Sequence, residues 1–372
     1  SYTVSVPIEV DEFWTAKQRA GHSIHEISYR ACYKPQLPAY FIKKFCEAKS
    51  VVYDPFMGRG TTLIEAQLHG HKVIGNDINP LSKVLTYPRL NPPTITDIEK
   101  KLSEIDLSND TEIDEDLLVF FHEETLRDIY GWRGYFQEGK LDRVDTWLQM
   151  VACSRLTGHS SGFFSVFTLP PNLAASVTSQ QKINEKRNQT PEYRDTKALI
   201  LRKSKQLLRH SIPDDYSRDD AVLLTESADH TPQIADESVD LVVTSPPFLD
   251  TVDYEQDNWL RMWFCNIEIE RGKIWQIKSL DGWVERMTDV FVELHRILKL
   301  SGRIAFEVGE VRKGEVLLEN AVAKASLDAG FLPDKLMINS QNFTKTANFW
   351  GVSNNQKGTN SNRIVILKKD RG

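Results

Sequence analysis

Short apolar runs rich in β-branched residues alternate with amphipathic stretches in two parts of the chain. Val51–Tyr53 and residues 71–75 have the composition of buried strands, and the stretch from about Thr61 to His69 between them has helical spacing. The alternation resumes near residue 221. It predicts strands at 239–243, 303–308, 336–338 and 363–367, and helices at 255–269, 281–299 and 316–329. Strands that alternate with helices predict an α/β fold built on βαβ units.

Residues 91–218 interrupt this alternation. Residues 97–128 are acidic and typical of solvated helical faces, whereas residues 117–157 carry many apolar and aromatic side chains. We therefore predict a largely helical insertion with its own core at 91–218, between α/β segments at 1–90 and 219–372. Residues 1–30 have no clear period and are predicted to form an arm on the first segment.

Composition limits the class of protein. The chain has 372 residues, 40% hydrophobic and 26% charged, with a net charge of −6. It contains no apolar run of membrane-spanning length and no signal-peptide pattern, so we expect a cytoplasmic protein without a membrane partner. The four cysteines are scattered without a Cys-x-x-Cys pair. This argues against a zinc site and a disulfide framework, and it fits a reducing cytoplasm.

A glycine loop follows the first predicted strand. It reads Asp54-Pro-Phe-Met-Gly-Arg-Gly-Thr-Thr, and Asp77 stands at the end of the next strand, where it can accept both hydroxyls of a ribose. The loop lacks the third glycine of a dinucleotide fingerprint and the Gly-Lys-Ser/Thr of a phosphate-binding loop. A nucleoside without a pyrophosphate fits better, and Asp54 suits a cationic ligand. That combination describes S-adenosylmethionine, although a lone Gly-x-Gly also occurs in ordinary turns.

A second turn, Thr244-Ser-Pro-Pro-Phe248, follows the predicted strand 239–243. Two prolines cannot continue the strand, because neither can donate to the ladder. Ser245 and the carbonyl of Pro246 are therefore expected at the rim of the sheet, where α/β proteins bind ligands. An ordinary strand-ending turn is the alternative.

The insertion ends in a basic stretch, in contrast to the acidic chain as a whole. Such a local reversal of charge predicts contact with the phosphate backbone of a nucleic acid, and a solvated basic helix is the alternative. The predicted contacts are Lys182, Lys186, Arg187, Arg194, Lys197, Arg202, Lys203, Lys205 and Arg209.

Together, the glycine loop, the segment 76–80 and the turn 244–248 resemble the amino-methylating DNA methyltransferases, and most of all the DNA (cytosine-N4) methyltransferases. The resemblance covers about residues 25–90 and 220–369. It implies a Rossmann-like methyltransferase sheet, S-adenosylmethionine as cofactor, double-stranded DNA as substrate and a role for the insertion in target recognition. The implied cofactor-binding residues are Tyr33, Asp54, Pro55, Phe56, Gly58, Gly60, Thr61, Thr62, Asp77, Ile78, Asp229 and Thr244.

The resemblance also implies that a cytosine is flipped out of the duplex toward Ser245, Pro246, Pro247 and Phe248. Ser245 Oγ and the Pro246 carbonyl would accept hydrogen bonds from the exocyclic amino group, and Phe248 would stack on the base. Serine before the prolines is usual for cytosine-N4 enzymes, and aspartate is usual for adenine-N6 enzymes. No cysteine follows a proline, which argues against methylation at cytosine C5.

Related members belong to restriction–modification systems, so we expect a bacterial or archaeal protein that works at the nucleoid, with an associated restriction endonuclease as a candidate partner. Four alternatives stay open: an adenine-N6 DNA methyltransferase, an RNA guanine-N2 methyltransferase, a catalytically silent DNA-binding subunit and a nicotinamide oxidoreductase. The last of these leaves the Ser-Pro-Pro turn unexplained.

Overall fold

The computed structural model describes most of the chain. The described residues are 6–14, 21–171, 173–213, 216, 221–247, 254–269, 274–275, 277, 279–311, 316–340 and 361–370. Among them, no helix is long and apolar enough to cross a membrane.

Ten strands and eleven α-helices are present in the described part of the chain. The strands are β1 (Ile8–Asp11), β2 (Val51–Asp54), β3 (Lys72–Asn76), β4 (Ala221–Leu224), β5 (Val239–Thr244), β6 (Leu298–Val308), β7 (Glu310–Val311), β8 (Val316–Leu317), β9 (Phe331–Ser340) and β10 (Ser361–Lys369). The helices are α1 (Gln36–Phe45), α2 (Thr61–Leu68), α3 (Leu81–Thr86), α4 (Ile95–Glu104), α5 (Glu123–Gln137), α6 (Arg143–Arg155), α7 (Val177–Arg187), α8 (Thr196–Leu207), α9 (Tyr254–Phe264), α10 (Leu280–Ile297) and α11 (Leu318–Asp328).

Eight of the strands form one sheet in the order β1-β9-β10-β6-β5-β2-β3-β4. Strands β2 to β6 are parallel, and β10 runs antiparallel to both β6 and β9. The α/β fold class is confirmed. One part of the predicted arm is a strand instead: β1 pairs in parallel with β9 at the edge of the sheet.

Helices pack on both faces of the sheet. Successive side chains of each strand point to opposite sides, so each strand contributes to both layers. Val52 faces the layer that contains α1 and α2, and Tyr53 faces the layer that contains α10 and α11. The central strands β2 and β5 are therefore buried on both faces, which explains their nearly continuous apolar sequence.

The insertion, α4 to α8, packs around a separate apolar core that includes Trp132 and Trp147. Helix α9 belongs to the second α/β segment by sequence, yet Leu260 and Phe264 are buried in this same core. Helix α9 is thus anchored to the insertion, which couples the two parts of the chain.

Residues 24–28, called the carbonyl segment below, lie largely buried between the sheet and the insertion. Buried carbonyls need hydrogen-bond partners. Here the donors are cations from separate parts of the chain. The bonds run from Arg89 to Ile24 O (3.2 Å), from Arg59 to His25 O (3.4 Å) and Ile27 O, from Lys203 to Glu26 O (2.7 Å), and from Arg261 to Ser28 O (3.1 Å).

Arg89 is the most enclosed of these donors, at 0% exposure. Its Nε donates to Leu85 O at 2.8 Å, and its Nη2 donates to Arg59 O. Burial lowers the pKa of this guanidinium to about 9. Its three hydrogen-bonded carbonyls stabilise the charged form in this position.

We predict that Arg89→Met lowers the free energy of unfolding by about 3 kcal/mol, because it leaves buried carbonyls without donors. Arg127→Met removes an exposed ion pair on α5 and should change stability by less than about 0.5 kcal/mol. Urea unfolding of both variants measures the difference. Equal stabilities would contradict the role assigned to Arg89.

Candidate active site

An open cavity of about 860 Å³ lies at the carboxyl ends of the parallel strands. It is located where the chain order reverses between β2 and β5, which is where α/β sheets bind their ligands. Its described lining is Tyr29, Arg30, Ala31, Cys32, Tyr33, Pro55, Phe56, Met57, Gly58, Arg59, Thr61, Asn76, Asp77, Ile78, Asn79, Ser227, Ala228, Ser245, Pro247, Ile274 and Trp275.

The glycine loop turns sharply between β2 and α2. Gly58 and Gly60 have φ angles of +49° and +73°, a region that favours glycine. A Cβ atom on Gly60 would lie 2.4 Å from Thr86 Cγ2. Glycine at position 60 therefore allows α2 to pack closely against α3 and brings the loop backbone to the cavity.

Asp77 lines the cavity beside this loop. Its Oδ2 accepts a hydrogen bond from Gly58 N and its Oδ1 accepts one from Asn79 N, both at 2.9 Å. Burial raises the pKa of Asp77, and the two backbone N–H groups oppose that shift. Each oxygen keeps a further lone pair, so Asp77 can still accept hydrogen bonds from two hydroxyl groups.

The sequence suggests that Asp54 faces a cationic ligand, but the structure places it behind the cavity wall. It is 1% exposed and does not belong to the described lining. Its carboxylate accepts hydrogen bonds from Tyr33 OH (3.0 Å), Thr244 Oγ1 (2.6 Å) and Phe56 N (3.1 Å). Burial raises the pKa of Asp54 to about 6. Asp54 thus fixes Tyr33 and the end of β5 from behind the cavity wall.

The other predicted cofactor residues divide in the same way. Tyr33, Pro55, Phe56, Gly58, Thr61, Asp77 and Ile78 line the cavity. Gly60, Thr62 and Thr244 lie behind that wall, and Thr62 Oγ1 is 2.5 Å from Tyr33 OH. Asp229 is also outside the described lining, and its carboxylate is 3.6 Å from Arg286. Direct contact of these four residues and Asp54 with a cofactor stays a prediction.

The Ser-Pro-Pro turn brings β5 to the same cavity. Ser245 and Pro247 line it, whereas Pro246 is buried and Phe248 lies outside the described residues. Trp283 Nε1 donates to Pro247 O at 3.1 Å, which holds the turn against α10. The predicted position of Ser245 at the sheet rim is therefore found, beside the glycine loop.

Glu307 on β6 is a residue that sequence reasoning missed. Its carboxylate is 8% exposed and hydrogen-bonds the Ser245 side chain and Asn362 Nδ2, the latter at 2.9 Å. Burial raises the pKa of Glu307. The signal was a single acid inside the apolar strand 303–308. Because Thr244 pairs with Phe306, the register of β5 and β6 places the next residues, Ser245 and Glu307, side by side.

The basic stretch separates into buried and exposed members. Lys203 is 5% exposed, and burial lowers its pKa to about 7. The structure corrects its assignment to DNA contact, because its ammonium donates to Glu26 O and Gln206 instead. Lys197 donates to a backbone carbonyl, and Arg194, Lys205 and Arg209 form ion pairs with glutamates.

Four basic side chains of the stretch remain exposed and unpaired with carboxylates among the described residues: Lys182, Lys186, Arg187 and Arg202. Arg187 lies over the Phe167 ring, and Arg202 donates to Ser161 O at 3.3 Å. These two arginines border the loop 158–167 of the insertion.

Comparisons with known proteins match the part of the chain that contains the glycine loop. Residues 6–83 match the family model N6_N4_Mtase, described as DNA methylase. The Type II methyltransferase M.MvaI of Kocuria varians is 26% identical over 274 residues, which cover 65% of this chain and 57% of that protein. The chain is therefore similar to a DNA methylase model over residues 6–83 and to a Type II methyltransferase over about two thirds of its length. It spans little more than half the length of this relative.

A second methyltransferase matches over more of its length. The Type II methyltransferase M.BsoBI of Geobacillus stearothermophilus is 22% identical, over 84% of this chain and 80% of that protein. The solved structure of TrmN from Thermus thermophilus aligns with 92% of this chain and 50% of that chain, at 13% identity and a TM-score of 0.36. Neither match distinguishes cytosine N4 from adenine N6.

We predict that Gly60→Ala lowers the free energy of unfolding by about 1–3 kcal/mol, because its left-handed φ and its contact with Thr86 both oppose a side chain. Gly134→Ala is the matched control, since a Cβ atom at this position of helix α5 would meet nothing within 4 Å. That control should gain about 0.5–1 kcal/mol. Thermal unfolding checks both, and a fully stable Gly60→Ala protein would contradict the packing described.

Proposed function

We propose that this protein transfers a methyl group from S-adenosylmethionine to the exocyclic N4 of a cytosine flipped out of double-stranded DNA. One observation carries the proposal: Ser245, whose side chain hydrogen-bonds the buried carboxylate of Glu307, lines the cavity that Asp77 and the glycine loop also line. A nucleoside site and a hydrogen-bond acceptor for an amino group thus share one space.

The cavity fits this cofactor on three points. The backbone at Gly58 can approach a ligand closely, Asp77 has lone pairs for a ribose diol, and Tyr33 closes the side next to Ser245. The buried carboxylate of Asp54, behind Tyr33, would add negative charge near the sulfonium or the amino group of the cofactor. When bound, S-adenosylmethionine supplies an electrophilic methyl group on a sulfonium.

Ser245 and Glu307 would prepare the amino group. The carboxylate of Glu307 accepts a hydrogen bond from the Ser245 hydroxyl. The lone pairs of Ser245 Oγ are then left to accept a hydrogen bond from the amino group of the base. The Pro246 carbonyl is the second acceptor that we propose. With its hydrogens held, the nitrogen could become tetrahedral as its lone pair forms the bond to the methyl carbon in line. The C–S bond would break with its electron pair left on a neutral thioether sulfur, and the surplus amino proton would pass to solvent.

Adenine N6 is the second candidate acceptor, since the family model includes both chemistries. Serine at position 245 favours cytosine. We also propose that the insertion recognises the DNA target and that Lys182, Lys186, Arg187 and Arg202 contact its phosphates. A restriction endonuclease that cuts the same site is the partner we propose, in a bacterial or archaeal cytoplasm.

We predict that Ser245→Ala slows methyl transfer by roughly 100-fold and leaves cofactor affinity unchanged, because it removes only the acceptor. Asp77→Asn should instead weaken S-adenosylhomocysteine binding by roughly 10- to 100-fold. Single-turnover transfer of labelled methyl to mixed-sequence DNA and calorimetry measure the two effects. Transfer at the parent rate by Ser245→Ala would exclude the acceptor role.

We predict that methyl transfer slows as the pH falls through the raised pKa of Glu307, above the ordinary glutamate value of about 4.3. Protonated Glu307 is a weaker acceptor for the Ser245 hydroxyl, and its own O–H can donate to Ser245 Oγ and occupy the lone pairs that the base needs. Glu307→Gln should remove this acid limb and lower the plateau rate by roughly tenfold. Glu319→Gln, at another buried carboxylate, should keep the wild-type pH profile. An unchanged profile in Glu307→Gln would contradict the assignment.

We predict that Lys182→Ala with Lys186→Ala weakens DNA binding and reduces the slope of log K against log salt by roughly 2, because each contact releases about one counterion. Lys140→Ala, at an exposed lysine outside the basic stretch, is the control. Fluorescence anisotropy at several salt concentrations measures the slopes. Equal slopes for the double variant and the Lys140→Ala control would contradict a contact between these two lysines and DNA phosphates.

A further inference from the structure

Part of the cavity lining is apolar. Phe56, Ala228 and Trp275 line the cavity and belong to one apolar cluster, and Ile78, also in the lining, follows Asp77 directly in the chain. If Asp77 holds a ribose, the base on the same sugar has to lie against neighbouring apolar residues, because a purine face needs no hydrogen bonds. The amino-acid end of the cofactor would then lie on the side of Tyr33, which also lines the cavity.

Trp275 belongs to this apolar part of the lining. Its ring centroid lies 6.2 Å from that of Phe56, at an interplanar angle of 67°. The guanidinium carbon of Arg286 on α10 lies 5.4 Å from the Trp275 ring centroid. A nitrogen of the same guanidinium is 3.6 Å from the carboxylate of Asp229. Arg286 therefore links the indole to the loop that follows β4.

We propose that Trp275 is a cofactor-binding residue that covers the adenine of S-adenosylmethionine, with Phe56 as the adjoining wall and Arg286 as the positioning residue that supports the indole. The proposal rests on the proposed function, since it assigns the two ends of the same cofactor. This role would explain why Trp275, which belongs to neither the glycine loop nor the Ser-Pro-Pro turn, lines the cavity.

Calorimetry with S-adenosylhomocysteine and with 5′-methylthioadenosine tests the assignment. Trp275→Ala should weaken both ligands by about tenfold, because both contain the adenine that the indole covers. Trp275→Phe keeps an aromatic face and should retain affinity within about threefold. The same fold-change for the two ligands is essential, since the smaller ligand lacks the amino-acid end.

Intrinsic fluorescence gives a second readout. Binding of S-adenosylhomocysteine should change the emission of the wild-type protein, and Trp275→Phe should abolish that change. Trp263→Phe is the matched control, because Trp263 packs against Arg133 and Tyr130 on α5 and does not belong to the described cavity lining. This control should keep the wild-type response.

The outcomes distinguish a failure of the proposed function from a failure of the role assigned to Trp275. Wild-type protein that binds neither ligand would contradict the proposed function itself. Wild-type binding with unchanged affinity in Trp275→Ala, or a loss confined to S-adenosylhomocysteine, would overturn the role of Trp275 and leave the proposed function intact. A change of emission that persists in Trp275→Phe would overturn it as well.

Discussion

The hydrogen bonds from buried cations to the carbonyl segment are the constraint on which the rest of the structure depends. Arg59 and Arg89 belong to the first α/β segment, Lys203 to the insertion and Arg261 to α9, and all four donate to the same five residues. A charged donor in the interior is stable only when its hydrogen bonds are made. The three parts of the chain therefore fix one another through a short stretch of backbone.

The geometry of the candidate active site depends on this arrangement. The chain continues from the carbonyl segment to Tyr33, which reaches the buried carboxylate of Asp54 at the end of β2. Thr244 donates to the same carboxylate from the end of β5. One buried acid thus aligns the cofactor side of the cavity with the turn that contains Ser245. We regard Asp54 as a junction between two strands.

Local sequence patterns predict the elements and motifs well, because strand–loop–helix units have short-range signatures. They cannot predict effects that arise from packing. Ile8–Asp11 falls within the predicted arm, because a stretch of four residues with only two apolar side chains does not look like a strand without its partner β9. Glu307 requires the register of β5 and β6. Lys203 is one charge among many in the sequence, and only the fold brings it to the carbonyl of Glu26.

The identity of the methylated base is the most direct test of the central claim. Double-stranded DNA of mixed sequence is incubated with the protein and S-adenosylmethionine, and its nucleosides are then identified by mass spectrometry. We expect N4-methylcytosine with the wild-type protein and very little with Ser245→Ala. N6-methyladenine alone would contradict the choice of cytosine, and the absence of any methylated nucleoside would contradict the proposed activity.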